Sequence, residues 1–158
     1  SKKVSSRDRN RGRKKGESVK TKKVTRHWCD FCRKSMAFRN RMEEHEKHCT
    51  LNPNRECGLC DIIGESPRPM VELLAVVPKC ADYKTGDAPW NIDHDKYEQA
   101  SREALAKLRE LTNNCPACIL AALRQSKNSG LVEADFDFFK ESKAFLKENY
   151  NPNEGIGY

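Results

Sequence analysis

The chain has 158 residues and a net charge of +7, with 34% charged and 37% hydrophobic residues. That length suits one compact domain with small appendages, and no apolar run approaches the length of a membrane-spanning helix, so no membrane role is expected. Eight cysteines stand in a chain that opens on basic polar residues rather than an apolar leader. This favours a reducing intracellular compartment, cytoplasm or nucleus, over a secreted disulfide scaffold.

Charge is concentrated at the start. Residues 1–26 carry a net +10, residues 27–56 a net +1 and residues 57–158 a net −4. Residues 1–26 therefore read as a basic arm: Lys2, Lys3, Arg7, Arg9, Arg11, Arg13, Lys14, Lys15, Lys20, Lys22, Lys23 and Arg26. The segment has no apolar periodicity and too little large apolar surface to fold alone, so we expect it to be disordered. Such arms neutralise phosphates and release counterions, which gives strongly salt-dependent nucleic-acid binding. A solvated tail or a nuclear localisation signal has the same composition.

Residues 27–50 carry the spacing Cys29-x2-Cys32-x12-His45-x3-Cys49. Three thiols and an imidazole at this spacing can close a tetrahedron around Zn²⁺, with Met36 and Met42 placed to pack beneath a helix. A module this small buries too little apolar surface to fold alone, so metal binding supplies much of its folding free energy. The segment resembles the C2HC/C2H2-type zinc finger family, a resemblance confined to these residues, which implies a ββα finger. His48 lies one turn from His45 and competes with Cys49 as fourth ligand. Aligned on its ligands, the helix positions that would face bases are Phe38, Arg41 and Glu44. Arg41 suits a guanine edge, and the other two are poor readers. With Arg33, Lys34, Arg39 and Arg41 beside the arm, backbone-dominated binding to DNA or RNA is expected. Glu43, Glu44 and Glu46 also suit a protein-docking module.

Residues 51–56 form a turn-rich linker. Beyond it, Cys57-x2-Cys60 and Cys115-x2-Cys118 are two thiol pairs far apart in sequence. We expect them to share a second zinc and so to tie the two ends of a helical body, residues 57–130, together. A ligand set including Cys80 or His94 competes with this, and Cys80 by itself reads as a small core residue. Two zinc ions are expected in all.

Within the body, residues 70–77 form a short apolar run, either a strand or a buried helix turn, ended by Pro78. Residues 82–90 read as loop. Residues 93–111 form an amphipathic helix capped by Asp93, with Tyr97, Ala100, Ala104, Leu105, Leu108 and Leu111 on one stripe. Asn113 or Asn114 caps an apolar helix over residues 116–125, with Pro116 at its first turn. Residues 131–158 form a C-terminal helix and tail. The helix spans residues 134–150 with Phe136, Phe139, Phe145 and Leu146 as core positions, and a coil follows over residues 151–158.

The expected fold is a mainly α, zinc-stabilised protein. The expected function is that of a zinc-containing nucleic-acid-binding accessory protein whose acidic body docks on a protein partner. A structural or adaptor subunit of a large assembly uses the same arm differently. Two enzyme readings rest on partial resemblances. Asp93-His94 between two Cys-x2-Cys pairs resembles HNH-type nucleases, whose Gly-rich turn and final His or Asn are missing here. Cys115-Pro116-Ala117-Cys118 resembles a glutaredoxin-like motif without the βαβ unit before it. Neither is preferred, because closed four-ligand sites leave no open position for catalysis.

Overall fold

The computed structural model describes residues 19–128 and 135–150. The expectations for Lys2, Lys3, Arg7, Arg9, Arg11, Arg13, Lys14, Lys15 and the tail over residues 151–158 lie outside these residues. The described chain is mostly helical. Residues 19–26 have no regular secondary structure. They lead into a two-stranded antiparallel hairpin, β1 (His27–Trp28) and β2 (Ser35–Met36), with His27 opposite Met36 and Trp28 opposite Ser35. Between the strands, Arg33 adopts a left-handed φ of 62°, and the turn closes by Cys29 N–H to Lys34 O at 2.8 Å. This tight turn brings Cys29 and Cys32 to the same side.

Helix α1 (Arg39–His48) follows, and its buried Met42 packs with Cys29 and Cys49 into a small cluster that Met36 and Leu51 cover. The next residues fold back on α1: Asn52 Nδ2 donates to Glu46 O at 2.8 Å and Glu56 N–H donates to Lys47 O at 2.8 Å.

The larger core is built around α5 (Pro116–Ser126), which packs against α3 (Met70–Val76), α4 (His94–Leu111) and α6 (Phe138–Asn149). Helix α5 is hydrophobic nearly all round, and Ile119, Ala121, Ala122 and Leu123 are fully buried. A helix of that composition must be covered on several sides, which makes it the hub. The apolar run over residues 70–77 is helical rather than a strand. Its buried or half-buried positions are Met70, Leu73, Leu74, Val76 and Val77, of which Met70, Leu73, Leu74 and Val77 follow a helical period. Pro69 sits at its N-cap position, where a missing N–H costs nothing.

Helix α4 begins where expected. Asp93 caps it by accepting from Lys96 N–H at 3.2 Å, and Ala104, Leu105 and Leu108 face inward. The segment before it is partly regular: Cys80–Tyr83 form a 3₁₀ turn, Lys84 bridges Ile92, and the Tyr83 and Tyr97 rings lie 5.5 Å apart.

Three local expectations are corrected. Neither Asn113 nor Asn114 caps α5; Cys115 holds that position with no side-chain cap. Both Asn residues instead have positive φ, 52° and 61°, and make the reversal between α4 and α5. Asn tolerates that conformation better than other residues that carry a Cβ. The last helix starts at Phe138, not near residue 134, because Asp137 caps it through Lys140 N–H. Phe139 is 84% exposed and not a core residue, since the later start turns it outward while Phe136 and Phe145 are buried. Leu146 is half-buried.

Candidate metal centres

Two groups of side chains each place four ligand atoms within 4.8 Å of one another: Cys29, Cys32, His45 and Cys49, and Cys57, Cys60, Cys115 and Cys118. Each group is spaced to hold one metal ion. All eight cysteines are free thiols.

In the first group the hairpin turn supplies Cys29 and Cys32, α1 supplies His45, and Cys49 ends that helix. Cys32 Sγ lies 3.1 Å from His45 Nε2. A tetrahedral zinc with ordinary bond lengths sets that edge at about 3.5 Å, so a small outward shift admits the ion. His48 is not part of the group. Its Nδ1 faces Glu56 O at 3.1 Å and its Nε2 faces Glu44 Oε1 at 3.2 Å. The Cys32 thiol is brought down to about 7: burial opposes this, but hydrogen bonds from the Lys34 backbone, His45, Cys29 and Cys49 outweigh it. Cys49 is pushed up to about 11, chiefly by burial.

The second group is assembled across the fold. Cys57 is the N-cap of α2 (Gly58–Ile62) and its sulfur accepts from Cys60 N–H at 3.5 Å. Cys115 and Cys118 open α5, 58 residues later than Cys57 and Cys60. The sulfur separations are 3.5 Å (Cys57 to Cys115), 3.6 Å (Cys60 to Cys115) and 3.7 Å (Cys60 to Cys118). The edge of a tetrahedral zinc–thiolate site is about 3.8 Å, from bonds of about 2.3 Å. The donor set therefore fits Zn²⁺ with little adjustment.

Electrostatics agree. Hydrogen bonds from Cys115 and Cys118 hold the Cys57 thiol far below its usual value. Cys60 is pushed up, by burial first and then by the charges of Cys115 and Cys57. Cys118 is pushed up by its hydrogen bonds with Cys115 and Cys57. By itself such a pocket favours one thiolate among four sulfurs; a divalent cation is what allows the others to ionise.

Arg55, not singled out in the sequence, places Nη1 3.9 Å from Cys118 Sγ. Four thiolates on Zn²⁺ leave a net −2, and a guanidinium at this distance offsets part of it. The only hint in the sequence is a basic residue two positions before Cys57. Cys80 is exposed on the 3₁₀ turn, and neither it nor Asp93 nor His94 belongs to a metal-spaced group among the described residues. Asp93 is engaged with Lys96, and His94 is exposed at the start of α4.

The basic residues within the described chain are dispersed over the N-terminal module. Lys20, Lys22, Lys23, Arg33, Lys34 and Arg41 are exposed and make no ion pair among the described residues. Arg39 pairs with Glu43 at 2.8 Å, and Arg26 donates to Ser35 Oγ at 2.9 Å. Among the described residues no helix is long and apolar enough to cross a membrane. Against models of known protein families, curated proteins and solved structures, the chain shows no match.

Proposed function

We propose that the chain is a zinc-stabilised nucleic-acid-binding accessory protein. In this reading residues 27–50 are a C2HC finger of ββα shape, the four-cysteine group is a closed structural zinc site in the body, and the basic arm and finger hold nucleic acid. The contacts are dominated by the phosphate backbone. Asp93 and His94 serve the start of a helix rather than water activation, so the reading is not enzymatic.

The observation that carries it is the division of charge on the N-terminal module. Each Glu of α1 is engaged: Glu43 with Arg39, Glu44 with Lys47 and His48, and Glu46 with Asp30 N–H at 3.0 Å. Arg33, Lys34 and Arg41 have no such partner among the described residues, and Lys20, Lys22 and Lys23 precede them. Besides the exposed carboxylates of Asp30 and Glu56, the charges left unpaired here are cationic, and they continue the arm in sequence. A polyanion is favoured over an acidic protein partner because these cations continue without interruption into the basic run of residues 1–26, whose composition suits phosphate neutralisation.

The body's part in the proposal is to dock on a protein. An open groove of about 1090 Å³ runs between α3, the 3₁₀ turn and α4. Leu74, Val77, Ala100 and Ala104 line it with Lys79, Glu103 and Lys107, a mixed surface suited to a peptide segment.

The test is a titration at several salt concentrations. If about 6–10 phosphates are contacted, affinity falls by about three to five decades between roughly 50 and 200 mM salt. Deleting residues 1–25 removes a net +9 while leaving Arg26 and the hairpin. The slope of log K against log salt becomes markedly shallower in that variant. An unchanged slope rules out the arm as the electrostatic footprint.

A further inference from the structure

The outer face of the hairpin carries a feature that phosphate binding does not use. Directly opposite residues of an antiparallel pair point to the same side, so Trp28 shares a face with Ser35, and His27 with Met36. Met36 packs onto the Cys29, Met42 and Cys49 cluster, which makes its face the inner one. Trp28 and Ser35 therefore point outward, and Trp28 is 63% exposed. Arg26 immediately precedes the strand, two residues before Trp28, within reach of the same side. Its guanidinium does lie there, donating through Nη2 to Ser35 Oγ at 2.9 Å and to Ser35 O at 3.4 Å.

No aromatic ring pairs with the Trp28 indole among the described residues. The same module exposes Phe38 at 66% and Phe31 at 40%. Single exposed aromatics are common on surfaces. Three within one small module, next to cations without ion pairs, make a pattern that combines ring faces with phosphate-binding charge.

We propose that Trp28, flanked by Arg26, is a stacking platform for an unpaired base, and that the ligand is single-stranded nucleic acid. The proposal rests on the nucleic-acid-binding reading and specifies its substrate. In a duplex both faces of each base are covered by neighbours, so an indole has no π face to meet. A single strand offers one at every nucleotide, and stacking on an aromatic side chain tolerates any sequence. Ser35 occupies only Nη2 of Arg26, so the other guanidinium nitrogens remain to take the phosphate beside the stacked base. A single strand needs no groove-matched reading helix, which agrees with Phe38 and Glu44 standing where a duplex-reading finger would carry base readers.

The experiment uses the full chain loaded with zinc. Short oligo(dT), oligo(dU) and oligo(U), and a blunt-ended duplex of the same length, are titrated by fluorescence anisotropy. Single strands bind more tightly than duplex, and the difference between oligo(dU) and oligo(U), which share the base, reports the preferred sugar. Trp28→Ala weakens single-strand binding by about 5- to 100-fold, leaves the salt slope in place and spares duplex binding. Trp28→Phe restores most of the loss, and Trp90→Ala, an exposed tryptophan on the body, changes nothing. In a Trp90→Phe background the emission of Trp28 is quenched by single strands and not by duplex, a readout that does not depend on how Trp28→Ala folds. Equal binding of duplex and single strand, or unquenched Trp28 emission on saturation, overturns the stacking proposal while a retained salt slope keeps the nucleic-acid reading. Absence of binding to every oligonucleotide defeats both.

Discussion

Two histidines three residues apart stand on the same helix, and only one is a candidate ligand. His45 turns Nε2 towards Cys32, whereas both ring nitrogens of His48 face oxygens of Glu44 and Glu56. The His48 hydrogen bond, with help from Lys47, holds the Glu44 carboxyl below its usual value. His48 thus fastens α1 to the segment leading into the body instead of closing a metal site. His45→Ala is expected to lose the finger metal, and His48→Ala to retain it. Metal quantification on both variants by native mass spectrometry decides this. Retention of two ions in His45→Ala would remove it from the ligand set.

At the scale of elements, α6 is held by more than apolar packing. Phe145 fills the core, and Arg109 of α4 grips Glu141 with two hydrogen bonds, Nη1 to Oε2 at 3.0 Å and Nη2 to Oε1 at 2.8 Å. Arg109 also donates to Asp135 O at 3.3 Å, and Arg102 pairs with Asp135 at 3.2 Å. The approach to α6 is therefore clamped to α4 at two arginines. A bidentate, partly buried pair exceeds an ordinary surface ion pair. Arg109→Ala is expected to cost about 1–2 kcal/mol in urea unfolding and to leave the metal content unchanged. A loss within measurement error would show that Phe136 and Phe145 hold α6 without the clamp.

In the whole molecule, the four sulfurs of the body belong to the main apolar cluster together with Leu73, Leu108, Ile119 and Leu123. A body of this size has a modest core, so a metal ion held by this group would add substantially to its stability by tying α2 to α5. Two zinc ions per chain are expected, and Cys57→Ser should leave one ion and an unfolded body. The N-terminal module also touches the body directly: Gln125 Nε2 donates to Thr50 O and Asn52 O, and Arg124 Nη1 donates to Thr50 Oγ1 at 2.8 Å.

The pH dependence of the body site follows from its thiols. Cys60 and Cys118 hold their protons more tightly than free thiols in the metal-free pocket, and binding requires those protons to leave. Protons therefore compete with zinc, and affinity rises with pH. Competition against a chromogenic chelator should show tighter retention at the alkaline end of the neutral range and release on acidification. A flat profile would mean that these thiols are not ligands.

Sequence alone determined the features that depend on neighbours along the chain. The Cys and His spacing from Cys29 to Cys49, the apolar stripe of α4, the cap at Asp93 and Pro116 at the first turn of α5 are all patterns contained within one short stretch of chain. The hairpin with α1 followed from the same local spacing. Tertiary structure decided what depends on partners distant in the chain. It brought Cys57 and Cys60 to Cys115 and Cys118, made a helix of Met70–Val76 against α5, and placed Arg55 beside Cys118. It also separated Phe136 and Phe145 from Phe139, and Trp28 from the inner face of the hairpin. An aromatic or thiol has the same local chemistry on either side of an element. Which side is dry is set by the helices that cover it, and those contacts are made only when the chain has folded.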